Sequence, residues 1–111
     1  ANVPVMRLAE MILTRAECNF RLRTAVGDTP ENDINLIRER VGLPPLQTLT
    51  LDAILKERKL ELAFEGHSLH DLKRTRRAVS TTLPWNSPRL ILPIPQRERD
   101  ANPNLTQNEG Y

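Results

Sequence analysis

The sequence predicts a mostly α-helical chain: a repeat-like helical hairpin, a further helix and an irregular C-terminal tail. Three observations carry this. Apolar residues recur at helical spacing from Val5 to Phe20. A second periodic segment lies between Thr29-Pro30 and Gly42-Leu43-Pro44-Pro45, residues that open and close helices. Beyond Arg77 the pattern gives way to Pro84, Pro88, Pro93, Pro95 and Pro103. At 111 residues the chain is at most one domain. Its folding would bury about two-thirds of the unfolded surface, which leaves a small stability margin.

In the first helix, Val5, Leu8, Ala9, Ile12, Leu13, Ala16 and Phe20 form the apolar stripe. Pro4 suits its first turn, where a missing N–H costs nothing. Arg7, Glu10, Thr14, Glu17 and Arg21 form a second stripe, spaced alternately by three and four. The helix runs to about Leu22, and Gly27 lies in the connection. Thr29 offers a capping hydroxyl to the second helix, Pro30 fits its first position and Glu31 suits its positive end. Ile34, Ile37 and Val41 mark its buried side. Gly42 suits the left-handed residue after a helix, and Pro44-Pro45 forbid continuation. Residues 1–45 therefore read as an antiparallel hairpin.

Residues 46–77 supply a third and a fourth helix. Thr50 can cap the third, and Leu51, Ile54, Leu55 and Leu62 continue its stripe, with Arg58 in the missing turn. The run from Glu57 reads as one helix ending at Gly66, with Leu60, Ala63 and Phe64 crowding the same turns. Ser68-Leu69-His70-Asp71 has the capping-box form and starts a short helix to about Arg76. Residues 78–111 are the tail. Arg89–Leu92 is at most an edge strand there, given the prolines behind it. The tail is expected to wrap over the helices.

Glu57, Glu61 and Glu65 stand four apart and so stack on one helical face. Like charges so placed destabilise an isolated helix by roughly 0.2–0.5 kcal/mol per pair. Basic side chains from elsewhere are therefore expected to meet them. The expected structural network comprises Arg7, Glu10, Glu17, Arg38, Glu57, Arg58, Glu61, Glu65 and Asp71. Removing Glu61 should lower the melting temperature sharply, because the loss of one partner leaves a buried charge uncompensated. An acid/base or metal role for these carboxylates is the weaker reading. His67 and His70 near Asp71 imitate a metal site. Zinc, however, needs three or four ligands in fixed geometry, and Gly66 and Ser68 interrupt the helix there. No Ser-His-Asp or Cys-His pattern stands out, and four glycines make no phosphate loop. The expectation is a non-enzyme without metal or cofactor.

Charge and composition exclude further classes. Sixteen basic residues nearly cancel fourteen acidic ones, for a net charge of +2. The cluster Lys73, Arg74, Arg76, Arg77 reads as a solvated helix end favoured by the helix dipole, so no nucleic-acid partner is expected. Cys18 is alone, so no internal disulfide forms, and it reads as a small packing residue. No run is long and apolar enough to span a bilayer. Ala1 looks like a cut or processed end. Of the four aromatics, Phe20 and Phe64 read as core and Tyr111 as structural. Trp85, in the loop Leu83-Pro84-Trp85-Asn86-Ser87-Pro88, is the one ligand-binding candidate. The competing reading is that it pins the tail. A lone hairpin cannot bury both faces, so its exposed face should seek a partner, another copy included.

The motifs, taken in order, resemble the SusD/RagB family. Arg7-Leu8-Ala9-Glu10 with Leu13 and Ala16-Glu17 is similar to its hairpin-opening helix. Ile34-Asn35 and Ile37-Arg38-Glu39-Arg40-Val41-Gly42-Leu43 is similar to the partner helix. Glu57 through Gly66, followed by Asp71-Leu72 and Arg74, resembles the family's strongest signature. Leu92-Pro93-Ile94-Pro95 and Asn102-Pro103-Asn104-Leu105, Gln107-Asn108, Gly110-Tyr111 resemble its ending. Ser68 and Leu69 depart from the arginine and aromatic usual there, so Glu61, Glu65 or Asp71 must find another partner. Arg7, Arg38 and Arg58 are the candidates.

The resemblance implies tetratricopeptide-like hairpins and no catalysis. It implies a glycan- or nutrient-binding lipoprotein of the outer membrane, typical of Bacteroidota. Such a protein sits on a SusC-like TonB-dependent transporter, and its lipid anchor would lie outside this segment. This chain resembles only the C-terminal part. The alternative is a free-standing tetratricopeptide-like protein–protein interaction module, against which the Leu92–Tyr111 ending argues.

Overall fold

The computed structural model describes residues 2–111, so Ala1 and its expected processing lie outside the described residues. In chain order the elements are α1 (Leu8–Leu22), α2 (Pro30–Arg40), α3 (Leu51–Glu61), α4 (Ser68–Arg74), a 3-10 turn (Pro88–Leu90) and α5 (Gln96–Ala101). Among the described residues the only β feature is an isolated bridge between Ser80 and Leu83. The chain divides into two compact units, one ending at Ser68 and the other spanning Leu69–Tyr111.

Local chemistry sets the starts of α2 and α3. The Asn32 N–H donates to the Thr29 hydroxyl at 3.2 Å, and the Ala53 N–H to that of Thr50 at 3.1 Å. Each such cap stabilises a helix by about 1 kcal/mol. Gly42 closes α2 at φ 74°, which a side chain would resist. Arg15 of α1 meets Asp33 of α2, while Leu8 and Ala9 share a cleft with Leu36, Ile37 and Arg40. Early residues of α1 thus face late residues of α2, and the pair is antiparallel. Both helices also contact α3. Ala9, Leu13, Ala16, Ile34, Ile37, Ile54 and Leu62 form the core, with Ile12, Phe20, Leu46 and Leu49 packed against it.

Several expected boundaries and burials move. α1 starts at Leu8 rather than around Pro4 and Val5, and Arg7 is its extended N-cap residue. The buried core residues of α1 begin at Ala9, and Val5 and Leu8 before it are exposed. α3 ends at Glu61, not Gly66. Leu62 is its cap and last buried contact. Leu60 in its last turn and Ala63 and Phe64 beyond it do not crowd a buried face: all three are exposed, and Phe64 is not core. Val41 lies outside α2 as its cap residue and is likewise exposed. Cys18 is exposed and therefore not a packing residue.

In the second unit α4 stops at Arg74, two residues short of expectation. The Thr75 hydroxyl donates to the Asp71 carbonyl at 2.6 Å, and Arg76 turns left-handed at φ 55°. Arg89–Leu92 is a 3-10 turn leading into extended backbone at Ile91, not an edge strand. The tail also contains α5, where the Gln96 amide donates to Asp100 at 2.7 Å. No residue of this unit is fully buried. Side chains of the last residues hold its extended backbone instead. Gln107 accepts from the Ile94 N–H at 2.8 Å and donates to the Ile94 carbonyl at 3.0 Å. Asn108 donates to the Leu92 carbonyl at 2.7 Å and the Tyr111 hydroxyl to the Ile91 carbonyl at 2.8 Å.

Candidate functional site

The densest polar arrangement in the first unit joins the hairpin to α3 and the turn after it. Arg7, freed from the helix by its extended cap conformation, donates to Glu61 at 2.8 Å and through Nε to both oxygens of Glu65 at 3.0 Å. Arg40, the last residue of α2, donates to the same Glu61 oxygen. Arg38 donates to Glu57 at 3.0 Å and to the Pro44 carbonyl at 2.8 Å. Arg58, itself buried, donates to the Thr14 hydroxyl at 3.1 Å. Glu10 lies 3.6 Å from His67. Glu17 is buried and accepts from Arg21 one turn on at 2.9 Å. The polar stripe of α1 thus has α3 and its following turn as main counterpart. Asp71 belongs to the second unit and accepts from Arg74 at 2.8 Å.

Two further polar centres are not evident in the sequence. Arg15 donates twice to Asp33, at 2.9 and 2.6 Å, and Asp33 is only 1% exposed. The guanidinium lies over Gly27, where a Cβ would come within 2.7 Å of it. Asn19 is buried at the turn between α1 and α2. It donates to the Val26 and Asp28 carbonyls and accepts from the Val26 N–H and the Thr24 hydroxyl. Asp33 reads in sequence as an ordinary first-turn acid, and Asn19 as one polar residue on a helix. Their roles depend on the return of the chain from α1 to α2.

The electrostatics oppose acid/base chemistry. The hydrogen bonds Arg7 donates to Glu65 and Glu61 raise its pKa beyond its ordinary value. The Arg7 hydrogen bond, then its charge, holds the Glu65 carboxyl below the usual range. Carboxylates engaged by arginines are poor proton carriers at neutral pH. Among the described residues no group of three or more His, Cys, Asp or Glu side chains could hold a metal ion. This arrangement ties helix ends together.

The depressed Glu65 value carries a sign. Folding stability from this pair is present above the ordinary carboxylate range and is lost as pH falls through the lowered value. Glu65→Gln should therefore lower the melting temperature at pH 7, and the gap to the unmodified chain should close towards pH 3. Circular-dichroism melts across that range measure it. A gap that stays constant with pH would contradict the ionised pairing.

In the second unit, Trp85 is half-buried, and the Arg76 guanidinium carbon lies 5.4 Å from its ring centroid. A cation at this distance is attracted to the ring face. One face of the indole is thus engaged within the unit, in the turn closed by the Ser87 N–H donating to the Pro84 carbonyl at 3.1 Å.

The SusD family profile matches residues 1–89. The chain is 32% identical to the starch-binding protein SusD of Bacteroides thetaiotaomicron, across 99% of its own length and 22% of that protein. It superposes on the surface glycan-binding protein A from Bacteroides thetaiotaomicron with a TM-score of 0.83 at 36% identity. That match covers 97% of this chain and 25% of the other. The same protein in complex with laminarihexaose gives 0.81 at 36% identity, over 96% and 25%. The chain therefore spans about a quarter of the length of the relatives it matches.

Proposed function

The chain belongs to the SusD family, and from that premise we propose that it is the C-terminal part of a non-catalytic surface protein that binds glycans. The parent protein is held in the outer membrane by a lipid anchor elsewhere in its sequence and works with a SusC-like TonB-dependent transporter. The observation that carries this reading is the near whole-chain likeness to proteins named for starch and surface-glycan binding. No helix among the described residues is long and apolar enough to cross a membrane.

Within that protein the chain acts as scaffold. Its hairpin (residues 1–45), third and fourth helices (46–77) and tail (78–111) hold binding loops contributed elsewhere. The ion pairs of Arg7, Arg38 and Arg40 with Glu57, Glu61 and Glu65 fix α3 to the hairpin. Trp85, half-buried beside Arg76, is the residue of this segment whose ring suits stacking on a sugar.

Calorimetric titration of the parent protein with a panel of soluble polysaccharides tests the reading. At least one glycan should bind. Trp85→Ala should weaken it by about threefold to tenfold if the indole stacks on the ligand, given roughly 0.5–1.5 kcal/mol for such contacts. Unchanged affinity would assign Trp85 to pinning the tail. A parent that binds no glycan, yet captures a protein partner, would favour the interaction-module reading.

A further inference from the structure

The charge of the chain is unevenly placed. The second unit carries seven basic residues against four acidic ones, whereas the first carries nine against ten. Between Asp71 and Glu98 no acidic residue occurs, and six basic ones fall in that stretch. The helix dipole accounts for Lys73 and Arg74, in the last turn of α4, and Arg74 is also paired with Asp71. It does not account for Arg76 and Arg89, which lie beyond α4 and are exposed. Among the described residues neither pairs with a carboxylate. Arg76 instead turns left-handed at φ 55° and lays its guanidinium over Trp85, 5.4 Å from the ring centroid. Stacking on an indole restrains a guanidinium and leaves its N–H donors along the edge. That planar fork engages an oxyanion through two hydrogen bonds at once.

We propose that Trp85, Arg76 and Arg89 form a contact for an acidic glycan, one whose sugar rings carry carboxylate or sulfate groups. This rests on the glycan-binding reading and narrows its substrate class. The indole meets the sugar ring, as it would any sugar. Arg76, held on that indole, recognises the acid group. Arg89 follows the turn that contains Trp85 and adds a second positive charge. A nucleic acid gains its affinity from many phosphate contacts along a continuous backbone. Two exposed arginines beside one indole suit a ring bearing a single acid group, and the first unit brings no further excess of positive charge.

The test is calorimetric titration of the parent protein, at low and at high salt, with two matched pairs: polygalacturonate with its methyl ester, and dextran sulfate with dextran. An acidic member should bind about tenfold or more tighter than its neutral counterpart, the range for hydrogen bonds to charged groups. Salt should weaken that binding by screening. Arg76→Gln should weaken it by about tenfold or more. Arg76→Lys should weaken it nearly as much, because an ammonium keeps the charge and loses the planar fork. Arg89→Gln, away from the stack, should weaken it by about threefold, and it serves as the variant should Arg76→Gln fail to fold. A parent that binds neutral glycans as tightly as acidic ones would overturn the proposal and leave the glycan reading standing. Full binding by Arg76→Lys would also overturn it. So would an oligonucleotide or anionic lipid vesicles bound with the same dependence on Arg76, since the surface would then be a general polyanion patch. A parent that binds no polysaccharide at all would overturn both readings.

Discussion

Leu13→Ala is expected to destabilise the first unit by about 2–5 kcal/mol, the range for emptying a packed leucine site. Leu13 is 0% exposed on the face of α1 that meets α2 and α3. Among the described residues the core has seven buried apolar members, two of them alanines, so the neighbours have little freedom to close the gap. Small domains hold about 5–15 kcal/mol in all, and this chain sits at the low end by size. At roughly 4–8 °C per kcal/mol the melting temperature should drop by on the order of 10 °C or more. Leu8→Ala is the control. It makes the same chemical change five residues earlier on the same helix, where the side chain is 74% exposed. Its effect should stay within about 0.5 kcal/mol, as for surface substitutions generally. Parallel circular-dichroism melts measure both. Equal losses would mean that burial on α1 is not distributed as described.

The contrast between Leu13 and Leu8 also shows how far the sequence could be read. Periodicity identifies the side a helix can bury, and the stripe on α1 contains both leucines. Whether a given residue on that stripe finds a neighbour depends on where the partner helices end, which periodicity does not encode. For that reason Val5, Leu8 and Val41 fall on stripes the periodicity predicts to be buried, yet lie exposed. Capping is different, because a hydroxyl and the amide three residues on are joined by local geometry alone. Thr29, Thr50 and Gly42 were therefore legible.

The end of α3 was not legible. Glu57, Glu61 and Glu65 keep helical spacing, yet the chain leaves the helix at Leu62. Three stacked carboxylates oppose each other in a continued helix. With the turn, Glu65 reaches the Nε edge of Arg7 while Glu61 takes another nitrogen of the same guanidinium. Trp85 stood out as an aromatic among polar and proline residues. Its pairing with Arg76 depends on the left-handed turn after α4, which nothing in Lys73–Arg77 announces.

Arg38→Met should be among the most damaging single changes, at about 3–5 kcal/mol, because it strands a buried charge. The Glu57 side chain is 6% exposed and that of Arg38 is 16% exposed, so neither regains water easily. Arg38 also donates to the Pro44 carbonyl, tying the chain just after α2. Glu61→Ala is gentler by the same logic. The arginines it releases, Arg7 and Arg40, are 32% and 57% exposed, and Arg7 keeps Glu65. The double variant Arg38→Met with Glu57→Leu separates charge stranding from loss of packing. Apolar replacement of a whole buried pair is often neutral or favourable, so the double variant should recover much of the loss. Urea titrations of the two single variants and the double variant give the coupling directly. If the double variant is as unstable as the sum of the singles, the two side chains act independently and the pair does not join α2 to α3. If it recovers, the ion pair serves to fix which helix faces meet, and the stability of the first unit rests mainly on the seven-residue apolar core beneath it.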